Sequence, residues 1–130
     1  ACTDVTGFGL LGHLVEMARP SEVDVELDLN ALPLLDGALD CIRNGIFSSL
    51  QPQNVRLRRA IRSDLNGGRE SELLPLIFDP QTAGGLLASV PEDEAEACVD
   101  ALRKSGYPKS QIVGRISTQS NHLEPIKILG

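Results

Sequence analysis

Apolar and acidic residues alternate strictly over residues 23–29: Val23, Val25, Leu27 and Leu29 are separated by Asp24, Glu26 and Asp28. A period of two marks a strand with one buried face and one wet face, and here the acids form the wet one. Ahead of it, from Phe8, the positions Leu11, Val15 and Ala18, with Leu10, Leu14 and Met17 beside them, follow helical spacing until Pro20 ends the pattern. Thr6 is a plausible N-cap for that helix. Residues 32–42 predict a short helix, with Gly45 just beyond it as a stop.

Residues 47–69 are polar at Ser48, Ser49, Gln51, Gln53 and Asn54, then basic, and end in the turn signal Asn66-Gly67-Gly68. A long loop carrying one short helix is expected there. Residues 73–78 lead into the Asp79-Pro80 break, and residues 84–90 read as a buried strand with small residues at its entrance. Residues 91–106 form the clearest helix. Pro91, Glu92, Asp93 and Glu94 suit its positive end, Ala95, Cys98, Val99 and Leu102 share a face, and Gly106 and Pro108 stop it. The β-rich runs 112–117 and 123–129, separated by residues 118–122, suggest a terminal hairpin. The order α, β, α, β, α, β, β predicts an α+β fold, a mixed sheet with packed helices in an α/β sandwich.

With 130 residues the chain suits one domain, and with 42% apolar but only 3% aromatic residues its core must be aliphatic. Twelve Lys and Arg against 18 Asp and Glu give a net charge of −6, which disfavours nucleic acid as a partner. The longest apolar runs fall far short of the roughly 20 residues that span a bilayer, and no basic-then-apolar leader opens the chain, so a cytoplasmic protein is expected. Cys2, Cys41 and Cys98 are widely spaced, without a C-x-x-C or a His at zinc spacing, and read as ordinary thiols in a reducing setting.

The chemistry concentrates at the start. Gly7, Gly9 and Gly12 spell G-x-G-x-x-G, and each glycine inside a helix costs up to about 1 kcal/mol relative to Ala. Either the backbone approaches a neighbour too closely for a Cβ, or the first amides face an anion. A dinucleotide fingerprint needs a buried strand before the glycines, and residues 1–6 are too polar and too few. Asp4, three residues before Gly7, adds a carboxylate beside amides that favour phosphate, the setting of a Mg2+-bridged nucleotide. A cap or a solvated charge explains a single Asp equally well.

The contiguous string Thr3-Asp4-Val5-Thr6-Gly7-Phe8-Gly9-Leu10-Leu11-Gly12-His13 resembles the signature that opens the C-terminal domain of selenophosphate synthetases. Asp79-Pro80-Gln81-Thr82-Ala83-Gly84-Gly85-Leu86-Leu87 resembles the second signature of that family, and the two cover about a sixth of the chain. Two departures stand out. Ala83 replaces an expected Ser, and only Gly45, Ser48 and Asn54 resemble the loop before the second signature.

The resemblance implies the C-terminal fold of the aminoimidazole ribonucleotide synthetase group and an enzyme that makes selenophosphate from selenide and ATP, releasing AMP and phosphate. It implies that residues 1–130 are one domain and that an N-terminal domain, absent here, holds ATP, selenide, most of the Mg2+ ions and the Cys or selenocysteine nucleophile. Cys2 is not that nucleophile. Asp4 is then a Mg2+ ligand reaching across, with Thr6, Gly7 and Gly9 near the ATP phosphates. No catalytic nucleophile is expected in this stretch, which by itself should be inactive, and the full-length protein should be a homodimer. A related ATP-dependent enzyme of the same superfamily, or a non-catalytic binding domain in a fusion protein, are the competing readings.

Other residues admit blander accounts. His13 reads as a hydrogen-bonded structural histidine and His122 as an exposed turn residue. Asp24-x-Glu26-x-Asp28-x-Asn30 lacks the Gly and Glu that a calcium loop requires. Arg56, Arg58, Arg59 and Arg62 suggest a solvated face, with Arg58 and Arg62 one helical turn apart, or else an anion or partner contact. Local capping explains Asp79 and Thr82 as well as catalysis does, and Gly84 and Gly85 read as packing residues at a strand entrance.

Overall fold

A computed structural model of the chain describes residues 1–62 and 72–130. The expected turn at Asn66-Gly67-Gly68 and the end of the basic stretch lie outside the described residues.

Helix α1, Gly9–Ala18, occupies the predicted place and turns Leu11, Leu14, Val15 and Ala18 inward. Strand β2, Val23–Asp28, follows with Val25 and Leu27 buried. A 3-10 turn, Leu29–Ala31, precedes helix α2, Ala38–Arg43, which is shorter than the expected helix over 32–42. Gly37 and Pro33 explain the late start: Pro33 disfavours helical geometry before it, and Gly37 takes a positive φ of 85° immediately ahead of α2.

The region expected as loop plus short helix contains α3, Gln51–Val55, continued by a 3-10 turn, Arg56–Ala60. Residues 73–78 tighten into another 3-10 turn, Leu74–Phe78, whose Leu74, Ile77 and Phe78 fill the core beside α1. The expected helix over 91–106 is a 3-10 turn, Glu92–Glu94, leading into α4, Ala95–Lys104. It is more peripheral than its pattern suggests, with Val99 buried and Leu102 exposed.

Two sheets organise the strands among the described residues. Strand β1, Cys2–Asp4, pairs antiparallel with β3, Leu86–Ala88, while a second sheet has the order β4–β2–β5, with β4 spanning Gly114–Thr118 and β5 Ile126–Leu129. The fold is therefore mixed α+β, as predicted, but the terminal hairpin does not form. β4 pairs antiparallel with β2 on one side and β5 pairs parallel with β2 on the other. Both runs prefer the uninterrupted alternating strand over each other, because Ile126 and Ile128 then bury beside Val25 and Leu27.

Two further expectations change. β1 was not predicted, since three polar-flanked residues carry no period; it exists because β3 supplies its backbone partners. β3 is shorter than the buried strand expected over 84–90 and only partly covered, with Leu86 76% exposed and Leu87 packed against the core. The core itself is aliphatic as composition requires, with Leu11, Leu27, Leu29, Ile77 and Ile126 fully enclosed.

Candidate functional site

The β1–β3 pairing lays the two signature segments side by side. Asp4 stands opposite Leu86, Thr3 opposite Leu87 and Cys2 opposite Ala88. Beyond the strands the backbones stay joined: the Val5 amide donates to Gly85 O (2.9 Å), the Gly84 amide to Val5 O (3.1 Å) and the Gln81 amide to Thr6 O (3.0 Å). A Cβ at Gly84 would run into the Val5 carbonyl, so Gly84 is the close-approach glycine that the sequence suggested. Gly85 is not, because open space surrounds the position its Cβ would take.

The three glycines of G-x-G-x-x-G divide in the same way. Gly9 has φ 69° and is buried, and a Cβ there would lie 2.9 Å from Ile77 O and from Phe78 C. At Gly12 a Cβ would meet Phe8 Cβ at 2.5 Å and Leu57 Cδ1 at 3.2 Å. Gly7 alone of the three is exposed with open space around it. Of the three residues expected near a phosphate, Thr6, Gly7 and Gly9, two have their amides engaged in hydrogen bonds. The Thr6 amide donates to His13 Nε2 (3.0 Å) and the Gly9 amide to Thr6 O (3.1 Å), so both N–H groups are committed within the turn. Gly7 keeps the open edge.

Thr6 is not the N-cap. That position falls to Phe8, which makes no side-chain cap bond, and the Thr6 hydroxyl lies 3.2 Å from His13 Nε2 instead. Asn54, in the stretch expected as a long loop with one short helix, is a main fastening of the site. Its buried side-chain amide donates to Gly7 O (2.9 Å) and to Phe78 O (3.0 Å), tying the glycine turn to the segment before the second signature. Gln51, one turn earlier on α3, donates to Pro75 O (3.0 Å). Two buried polar residues three apart on a short helix were the available signal, but burial is not visible in a polar stretch.

Asp4 is exposed at the end of β1, and among the described residues no hydrogen bond or ion pair engages its carboxylate. Its chemistry is that of a hard oxygen donor beside an open glycine edge, which suits Mg2+ held by one or two carboxylates and phosphate oxygens. Among the described residues no group of three or more His, Cys, Asp or Glu could hold a metal.

A family profile described as AIR synthase related protein, C-terminal domain, matches residues 1–124. The chain belongs to this family. It is 40% identical over 123 residues to a selenide, water dikinase of Caldanaerobacter subterraneus subsp. tengcongensis, covering 94% of this chain and 35% of that protein. A selenide, water dikinase of Clostridioides difficile is 37% identical over 116 residues, 88% of this chain and 32% of the relative. One of Rhizobium meliloti is 36% identical over 129 residues, 97% and 36% respectively. The chain thus spans about a third of the length of the curated relatives it matches.

Among the other predicted candidates in this AIR synthase related domain, Cys2 shares β1 with Asp4. Arg56, Arg58 and Arg59 are exposed on the 3-10 turn after α3, but Arg62 is not part of a solvated face. It forms an ion pair with Asp24 in which both side chains are largely buried, so Asp24 also leaves the wet face expected for β2. Glu26, the next acid of that strand, pairs with Lys127 of β5 at 2.8 Å. His122 is exposed, Cys2 and Cys41 are exposed free thiols, and Cys98 is half-buried and free.

Asp79, which opens the second signature, is half-buried, and desolvation pushes its carboxyl above the usual range. A folded-state value above the unfolded one of about 3.9 stabilises below that unfolded value, and the benefit is lost as pH rises through the folded one. Asp79→Asn should therefore raise the melting temperature at neutral pH, with the difference vanishing near pH 3. A scan of Tm against pH for both proteins checks this, and an Asn variant that melts lower at pH 7 refutes it.

Proposed function

We propose that this chain is the C-terminal domain of a selenide, water dikinase, a cytoplasmic homodimer that uses ATP and Mg2+ to convert selenide to selenophosphate, releasing AMP and phosphate. Asp4 supplies one Mg2+ ligand and the Gly7 edge faces the phosphates, while the remaining ligands, ATP, selenide and the nucleophile belong to another domain. The carrying observation is the fusion of both signature segments into one edge on which Asp4 is exposed and uncommitted. Phosphoryl transfer depends on positioning and on neutralising charge at the transferred group, so a domain contributes by presenting a carboxylate for the metal at the right place. The net charge of −6 supports a small-molecule substrate over nucleic acid, and no helix among the described residues is long and apolar enough to cross a membrane.

The test replaces the matching third of the Caldanaerobacter relative with this chain. The chimera should consume ATP in a selenide-dependent way. Asp4→Asn in it should lower kcat at least about 10²-fold, the upper end of what losing a supporting metal-site contact costs, and should raise the Mg2+ requirement. Unchanged Mg2+ dependence and turnover in the Asp4→Asn protein would remove Asp4 from the mechanism.

A further inference from the structure

His13 lies inside α1, 7% exposed, and reaches back to the turn that precedes its own helix. Its Nε2 is 3.0 Å from the Thr6 backbone nitrogen. A backbone N–H can only donate, so Nε2 is the unprotonated, accepting nitrogen and the ring proton sits on Nδ1. Nδ1 faces Glu16 Oε2 at 3.4 Å, an acceptor placed to hold that tautomer, and the Phe8 ring packs against the imidazole with centroids 5.8 Å apart.

The residue held in this way is the junction of the site. Thr6 O accepts from both Gly9 and Gln81, so it joins the start of α1 to the second signature. On its two sides stand the groups left open: Gly7, whose carbonyl Asn54 fastens, and, two residues before it, Asp4. Removing the acceptor at His13 strands the part-buried Thr6 amide, and the turn must shift to find another partner.

We propose that His13, accepting at Nε2, is a positioning residue that locks the Thr6 turn so that Asp4 and the Gly7 edge face the Mg2+-bound triphosphate together. The functional half of this rests on the dikinase reading; the ring's hydrogen bonding does not. Glu16 is the orienting partner.

Two measurements decide it. In the 15N-labelled chain, the His13 Nε2 resonance should be that of an unprotonated nitrogen and the Thr6 amide should be protected from exchange; a protonated Nε2 or a freely exchanging Thr6 amide overturns the proposal. In the chimera, His13→Leu keeps bulk but removes the acceptor, and should raise the Mg2+ concentration for half-maximal rate about tenfold, as loss of an outer contact to a metal site does. His13→Gln places an amide oxygen at similar reach and should restore most of that loss. A folded His13→Leu protein with unaltered Mg2+ dependence, while Asp4→Asn alters it, overturns the inference alone; if Asp4→Asn alters nothing, the Asp4 assignment has failed and the functional half of the inference with it, and a chimera without selenide-dependent ATP consumption overturns the dikinase reading. Should His13→Leu not fold, the ring resonance and the His13→Gln variant decide the matter.

Discussion

Arg62→Ala should destabilise the protein by about 3–5 kcal/mol in denaturant unfolding, the cost of leaving a buried charge without its partner. The Asp24 and Arg62 side chains are only 5% and 13% exposed, and their ion pair is one bond of several. Arg62 also donates through Nε to Glu124 O (2.9 Å) and through its guanidinium to Ser120 Oγ (2.9 Å), while Asp24 Oδ2 accepts the Ser120 amide (3.0 Å). The cluster pins the β4–β5 connection across the end of β2, which is how two neighbouring runs come to flank a third strand. Asp24 Oδ1 is buried without a hydrogen-bond partner among the described residues, so once Arg62 is gone only hydrogen bonding from Ser120 to the other oxygen is left to support the charge.

Asp24→Leu combined with Arg62→Met should recover most of the loss, because replacing both partners by apolar groups removes the desolvation penalty together with the attraction. If the double variant is no more stable than Arg62→Ala, charge burial is not the cause. The pH dependence has a fixed sign. Hydrogen bonding from Ser120, and then Arg62, hold the Asp24 carboxyl below its ordinary value. Its contribution is therefore complete above the unfolded value of about 3.9 and is lost as pH falls through the lower folded value. The gap between wild type and Asp24→Asn should narrow only under strongly acid conditions.

Gly9→Ala should cost about 2–4 kcal/mol, whereas Gly7→Ala, two residues away, should stay within about 0.5 kcal/mol of wild type. At Gly9 two penalties add: a φ of 69° that an L side chain resists, and a Cβ 2.9 Å from Ile77 O and Phe78 C. Those atoms are backbone, already fixed by Asn54 through Phe78 O, and cannot swing aside as a side-chain end would. At Gly7 there is open space and no positive φ. Comparing Tm for the two variants checks this; equal effects would mean that the motif tolerates or rejects a Cβ without regard to this geometry.

The glycine motif shows where sequence reasoning reached and where it stopped. Two physical reasons for the glycines, close approach and amides facing an anion, are visible in the sequence, and the structure shows the first at Gly9 and open space at Gly7. Which glycine meets a close neighbour was not visible, since it depends on what lies above each residue. His13 behaves as the hydrogen-bonded core histidine its helical position suggested, but its partner Thr6 reversed the capping expectation. Asn54 and Gln51 looked like loop residues because polar side chains that bury to satisfy distant carbonyls have the same local pattern as those facing water.

Local periodicity by itself determined the existence of α1, β2 and α4 and composition the aliphatic core, because each needs only the chain's own residues, whereas the candidate role of Asp4 came from the resemblance of the string around it to a known signature. The tertiary structure alone decided that β1 exists, that β5 runs parallel to β2 with no hairpin to β4, that Asp24 is buried with Arg62, and that the two signatures share one edge. Those outcomes are set by backbone and charge partners that are 38 residues or more away along the chain. A short-range pattern can say that a group needs a partner; only the folded arrangement says which one it finds.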